Sequence, residues 1–234
     1  MTKTSALVLL CLVVGIAPAQ AGERPILVEL FTSEGCSSCP PADALLAELA
    51  NRPDVLALSF HVDYWDRLGW KDPYSSREAT ERQNHYAALL NLATVYTPQI
   101  VVDGKWQTVG SDRADVEGAL DLARHNRQEV PVILALDHGK ALISMGPGGE
   151  GLAASVLLIG FDRRHVSAVK RGENSGRTLA HADVVRGVEE VAVPSNSVGK
   201  IDVRIRWHCD RIAAIVQAAD GRVLGVAVQD AEPL

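Results

Sequence analysis

Apolar and polar positions follow two different rhythms along this chain, and the change of rhythm divides it. Residues 25–31 read Pro-Ile-Leu-Val-Glu-Leu-Phe, apolar on both parities, which suits a strand buried on both faces. Leu45, Leu46 and Leu49 then recur at helical spacing until Asn51-Arg52-Pro53 stops the run. Residues 55–62 read as a second buried strand. Ser75 and Glu78 have the spacing of a capping box ahead of a helix that reaches Leu90 or Asn91. Residues 96–102 form a third strand entered through Pro98, Asp103-Gly104 is a hairpin turn, and residues 105–109 return as a fourth strand. Ser111 or Asp112 then caps a helix ending near Asn126, with Val116, Leu120 and Ala123 inward. This order predicts an α/β domain with a small central sheet over residues 22–128.

Beyond Pro131 the period is two. Val132, Leu134 and Leu136 alternate with Ile133 and Ala135, and Ile201, Val203, Ile205 and Trp207 alternate with Asp202, Arg204 and Arg206. Residues 152–161 and 212–228 add strand-like runs, the second broken by an Asp220-Gly221 turn, while residues 182–188 have room for a short helical turn. The glycine-rich stretch 146–151 reads as a hairpin loop. Residues 129–234 are therefore expected to form a mostly-β, sandwich-like domain.

The first residues change the picture of where this chain works. Lys3, an apolar core at residues 6–17 and Ala19-Gln20-Ala21 have the form of a signal peptide over residues 1–21, cut after Ala21. The apolar core falls short of the roughly 20 residues that span a bilayer, and no membrane span is expected in the mature chain. That leader predicts a periplasmic or secreted protein. Its removal takes Cys11 away and leaves Cys36, Cys39 and Cys209, an odd number that does not make a disulfide framework. A formal charge of −6 without a basic run argues against a nucleic-acid partner.

Cys36-Ser37-Ser38-Cys39 lies after a strand and opens a helix. Unpaired N–H groups and a partial positive charge at such a helix end favour a thiolate. Cysteine pKa values there fall from about 8.5 to roughly 3.5–7.5. Cys36, the more N-terminal thiol, is expected to attack, and Cys39, one turn along, to resolve the mixed disulfide. Zinc would need about four ligands, and no second cysteine pair is present to supply them. The segment His61-Val62-Asp63-Tyr64-Trp65-Asp66 follows the second strand, with Trp70 and Tyr74 close behind. Tyr64 and Trp65 either form an aromatic wall for a peptide partner or pack under their own loop. His61 either joins the two cysteines in holding copper or is an ordinary strand-end histidine. The polar segment 171–181 either docks on the first domain or helps to shape a substrate groove, or else is an ordinary interstrand loop, and Cys209 reads as a spare thiol at a hairpin tip.

The strand before Cys36-Ser37-Ser38-Cys39, followed by Thr97-Pro98 leading into Ile100-Val101-Val102-Asp103-Gly104, resembles the thioredoxin superfamily. The resemblance implies a cis Pro98 beside the disulfide, with Thr97 and Pro98 presenting a substrate backbone. It also implies that Glu29, on the strand before the motif, helps to deprotonate the resolving thiol, although Glu29 lies seven residues before Cys36, one more than usual. More closely, residues 28–43, His61 to Asp66, Tyr96-Thr97-Pro98-Gln99 and Arg171-Gly172-Glu173-Asn174 resemble an uncharacterised secreted bacterial family, the domain of unknown function DUF1223. The likeness covers nearly the whole mature chain and implies a thioredoxin-like domain with an appended β domain.

The leading expectation is thus a thiol–disulfide oxidoreductase acting on protein cysteines, with no cofactor and no metal. A copper-handling protein using the same cysteines and His61, and a non-enzymatic binding module with a structural disulfide, are the alternatives.

Overall fold

All seven positions of β1 (Ile26–Thr32) are buried, as an unbroken apolar run requires of a strand covered on both faces. The structure, a computed structural model, describes residues 23–126, 130–146, 154–193 and 200–231. The expected leader at 1–21, the domain boundary around 128 and most of the 146–151 loop lie outside them. Parallel β2 (Val55–His61) and antiparallel β3 (Gln99–Val102) flank β1, and β4 (Trp106–Val109) pairs with β3 through the turn at Asp103-Gly104.

Three helices complete this half. In α1 (Pro40–Leu49), Leu45, Leu46 and Leu49 face the even-numbered side of β1, and α3 (Arg113–Asn126) joins them through Val116, Leu120 and Ala123. The other helix, α2 (Arg77–Leu89), lies against the odd-numbered side beside Leu27 and Phe31. Its cap differs from expectation: the Ser76 side chain, not that of Ser75, accepts from the Ala79 N–H at 3.1 Å. Ser75 Oγ instead donates to Asp66 Oδ2, because the chain between β2 and α2 folds back on itself. Asp112 caps α3, accepting from the Asp115 N–H.

The second half departs from a sandwich closed on itself. β5 (Val132–Asp137), β6 (Lys140–Met145) and β9 (Lys200–Arg204) form a three-stranded sheet. However, β7 (Ala154–Ala168), β8 (Thr178–Val193), β10 (Arg211–Ala218) and β11 (Val223–Asp230) continue the first half's sheet in the order β11-β10-β7-β8-β2-β1-β3-β4. The molecule is a mixed α/β structure with one large mixed sheet and a second small one. Residues 182–188 belong to strand β8, and the parallel pairing of Ser59 with Val184 joins β2 to β8.

The large sheet curls. Leu157, Ile159 and Phe161 of β7 and Ala213 and Ile215 of β10 share a core with Leu27, Phe31, Leu58, Phe60 and Tyr86. The alternate residues Val156, Leu158, Ile212 and Ala214 face the small sheet. Beyond an irregularity at Gly160/Phe161, β7 and β8 run on as a long hairpin whose turn reaches the Cys36–Cys39 motif.

Candidate functional site

Cys36 and Cys39 form a disulfide at the start of α1, and neither is exposed to solvent. Cys39 is the N-cap residue, without a side-chain cap, and Pro40 and Pro41 occupy the first helical positions. Prolines fit there because the N–H groups they lack would have no helical partner. The next two N–H groups, of Ala42 and Asp43, both donate to the Cys39 carbonyl, at 2.8 and 3.1 Å. The helix therefore offers the sulfurs its dipole rather than free N–H donors. Ser38 Oγ lies 3.3 Å from Cys36 Sγ, and Ser37 and Ser38 are the exposed residues of the motif.

Cys36, expected to be the attacking thiol, is fully buried, and the β7–β8 turn is bonded to the backbone on either side of it. Asn174, fully buried, donates from Nδ2 to the carbonyls of Glu34 at 2.9 Å and Cys36 at 2.8 Å. Arg177 Nη1 holds the Asn174 Oδ1 at 2.8 Å, and Glu173 Oε2 accepts from the Ser37 N–H at 3.0 Å. Ser37, first through its hydroxyl and then through this N–H, holds the exposed Glu173 carboxyl below its usual range. The polar segment at 171–181 thus docks on the motif, as one of its readings had it.

Trp65 and Thr97 come together: Trp65 Nε1 donates to Thr97 Oγ1 at 2.8 Å. A Cβ on Gly35 would lie 3.2 Å from Trp65 Cβ, so the glycine before Cys36 lets the tryptophan pack on the motif. The Thr97–Pro98 peptide is cis, and the Pro98 carbonyl accepts from the Gly110 N–H. Tyr64 turns toward α2 instead, where its hydroxyl donates to Gln83 Oε1 at 3.2 Å. Gln83 in turn donates to the Tyr96 carbonyl and to Gln99. Trp65 and Thr97 are therefore joined beside the glycine that precedes Cys36, with Pro98 next in the chain, while Tyr64 faces α2.

Glu29 is not brought to the sulfurs. Its carboxylate points to the odd-numbered side of β1, away from α1, where Arg82 grips both oxygens and the Tyr86 hydroxyl donates to Oε2. The extra residue of spacing before Cys36 is the physical reason, because neighbouring strand positions face opposite sides.

A buried ionisable cluster that the motif reading missed lies behind the cysteines. His61 Nδ1 meets Asp72 Oδ2 at 2.7 Å, and the same oxygen accepts from the Glu34 N–H at 2.8 Å. Glu34 takes Trp70 Nε1 at 2.7 Å on one oxygen and faces His181 Nε2 at 3.2 Å with the other. His181 Nδ1 lies 3.9 Å from Asp43 Oδ2, while Thr32 Oγ1 donates to Asp43 Oδ1 at 2.9 Å. The two imidazoles stand edge to face, 4.7 Å apart.

Burial alone would raise Glu34, but bonds from His181, Ser167 and Trp70 outweigh it and hold the carboxyl below its usual range. Burial acts likewise on Asp72, and His61 overcomes it. Desolvation would lower His61, yet Asp72, Asp43 and Glu34 together raise it. For Asp43 burial wins, and its carboxyl is pushed up despite His181, His61 and Thr32. Among the described residues no group of three or more His, Cys, Asp or Glu is arranged to hold a metal ion, so His61 gains no support as a copper ligand. The signal for this cluster was weak: Glu34 and Asp43 flank the motif in sequence, but only the fold brings Asp72 and His181 beside them.

Cys209, half-buried in a cavity of about 680 Å³ with Trp207, His208 and Arg163, lies apart from this site. No described helix is long and apolar enough to cross a membrane.

The family profile described as "Protein of unknown function (DUF1223)" matches residues 27–226. A crystal structure of protein AGR_C_4864 from Agrobacterium tumefaciens is similar with a TM-score of 0.75 and 30% identity, over 92% of this chain and 98% of that one. HBP35 of Porphyromonas gingivalis is similar in fold, with a TM-score of 0.61 and 15% identity over 90% of this chain and 77% of that one. No curated protein sequence matches.

Proposed function

The chain belongs to the DUF1223 family, and we propose from its own chemistry that it is a thioredoxin-like thiol–disulfide oxidoreductase acting on the cysteines of other proteins. The observation that carries this reading is the Cys36–Cys39 disulfide closed across the N-terminus of α1. A dithiol ring at a helix start can open and reclose without unfolding the strand before it or the helix after it. Support comes from Trp65, packed beside Gly35 and hydrogen-bonded to Thr97, whose peptide with Pro98 is cis. Cys36 is the attacked sulfur, Cys39 the resolving one, and the Thr97–Pro98 backbone the surface on which a substrate strand lies. The expected leader would deliver the protein to the periplasm or beyond, where such a pair finds both thiols and disulfides. The Asn174 turn over Cys36 must move aside for a protein thiol to reach it.

The test combines trapping and redox equilibration of the mature chain. Cys39→Ser should accumulate mixed disulfides through Cys36 that vanish in the Cys36→Ser/Cys39→Ser double variant. The wild-type couple should equilibrate with glutathione at a potential above about −300 mV, the region below which structural disulfides lie. An absence of trapped partners together with a couple that glutathione leaves oxidised would reduce the disulfide to a staple.

A further inference from the structure

The described cluster behind the motif holds three carboxyl groups and two imidazoles, every side chain at most 6% exposed. Three carboxyl groups outnumber the two imidazoles, so full ionisation of all three would bury negative charge without a matching partner. Burying such a charge is costly, which favours a carboxyl that keeps its proton. Asp43 is the member pushed up by burial, and it lies one helical turn after Cys39, where side chains four apart are neighbours. Its backbone N–H is already tied to the Cys39 carbonyl at 3.1 Å. Two imidazole nitrogens of the same cluster, His61 Nε2 and His181 Nδ1, are buried and make no hydrogen bond among the described residues.

We propose that Asp43 is the acid that returns a proton to Cys39 when the disulfide opens, and that His181, reaching in from β8, is the positioning residue that balances the carboxylate left behind. The proposal rests on the exchange reading above and adds a donor to it. A substrate thiolate attacks Cys36 Sγ, forming a substrate–Cys36 disulfide as the Cys36–Cys39 bond breaks. The bonding pair leaves on Cys39, which takes the Asp43 proton. The second substrate thiolate then attacks the substrate sulfur of the mixed disulfide and releases Cys36 as thiolate. The substrate dithiol leaves as a disulfide, the protein is left as a dithiol, and solvent exchanges the remaining protons. Without a nearby acid the departing Cys39, fully buried, would be a charge closed off from water. The groups that set the Asp43 proton are Thr32 on β1, Glu34 in the following turn, His61 on β2, Asp72 in the loop after it and His181 on β8.

Opening of the oxidised protein by dithiothreitol, followed from pH 5 to pH 9 through tryptophan fluorescence, reads this step whether or not protein thiols are the natural substrate. Asp43→Asn should slow opening at least about tenfold at the acid end and flatten the pH profile. Asp43→Glu should restore part of the rate, and His181→Gln should move the break in the profile. In the wild type, where folding is not at issue, the Asp43 carboxyl carbon followed by NMR should titrate at higher pH in the reduced than in the oxidised protein, because coupling between two sites is reciprocal. Identical titration in both redox states, or an Asp43→Asn profile that superimposes on the wild type, overturns the proposal. Trapping that fails while the dithiothreitol profile depends on Asp43 would instead remove the protein substrate and leave the donor standing.

Discussion

Glu29 survives burial in the centre of the sheet because Arg82 meets both its oxygens and the Tyr86 hydroxyl closes the remaining side. Arg82 is itself buried, sits 4.9 Å from the Tyr86 ring centroid and reaches Gln217 of β10 at 3.3 Å. Taking away one partner of such a pair leaves a charge with neither water nor counter-charge. Arg82→Ala should therefore cost about 3–5 kcal/mol of folding free energy, measured by urea unfolding. The double change Glu29→Gln with Arg82→Met should recover most of that loss, since neither residue keeps a charge to be solvated. Because these side chains project from the opposite side of β1 to α1, dithiothreitol should open the disulfide of the double variant at the wild-type rate. A slowed opening would return Glu29 to the thiol chemistry. The sequence could not distinguish Glu29 from Asp43 by type, since both are acids within seven residues of a cysteine. What separates them is strand parity for one and helical spacing for the other.

The apolar runs made β1, β2 and β3 legible because each is buried on both faces, a property a short window contains. The Cys36–Cys39 pair was equally legible, with its spacing and its place before a helix. Residues 182–188 were not, because Val184 and Val185 alternate with Asp183 and Arg186 too irregularly to favour one period. They become strand by pairing with residues of β7 and with Ser59, partners that no local pattern encodes. The turn between β7 and β8 is the element where this matters most for chemistry. Val169 and Arg177 close it, and Asn174 at its tip spends both amide hydrogens on the carbonyls of Glu34 and Cys36. Asn174→Ala would strand those two buried carbonyls, at a cost of about 1–3 kcal/mol for each that water does not reach. The same loss should loosen the cover, so the reduced variant should alkylate at Cys36 faster than wild type by mass spectrometry. Equal alkylation rates would mean that the turn braces the motif without controlling access to it.

At the scale of the whole molecule, the two halves share hydrogen bonds as well as a sheet. Asp103, in the β3–β4 turn, holds Arg24 through both carboxylate oxygens, accepts the Leu27 N–H and gives its carbonyl to the Val223 N–H of β11. Arg24 in turn donates to the Val223 carbonyl at 2.9 Å. The next residue, Gly104, sits at φ +67°, and a Cβ there would run into the Gly221 carbonyl in the β10–β11 turn. Both the backbone angle and the close approach demand glycine at this position. A sequence shows Asp103-Gly104 and Asp220-Gly221 as two separate hairpin turns; that they abut is decided by the curl of the large sheet. Domains that merely adjoin would unfold in two steps, each with its own midpoint. A continuous sheet, with a buried ion pair hydrogen-bonded across the join to Val223, predicts a single transition, coincident by tryptophan fluorescence and far-ultraviolet circular dichroism. Gly104→Ala should separate the halves locally and destabilise the fold by at least about 2 kcal/mol. If the first half carries most of the stability, the variant should lose β10 and β11 first, and the two probes should cease to coincide. Coincident probes at an unchanged midpoint would show that the turns can part without cost, and the join would then rest on β2 with β8, the shared core and the Asn174 turn.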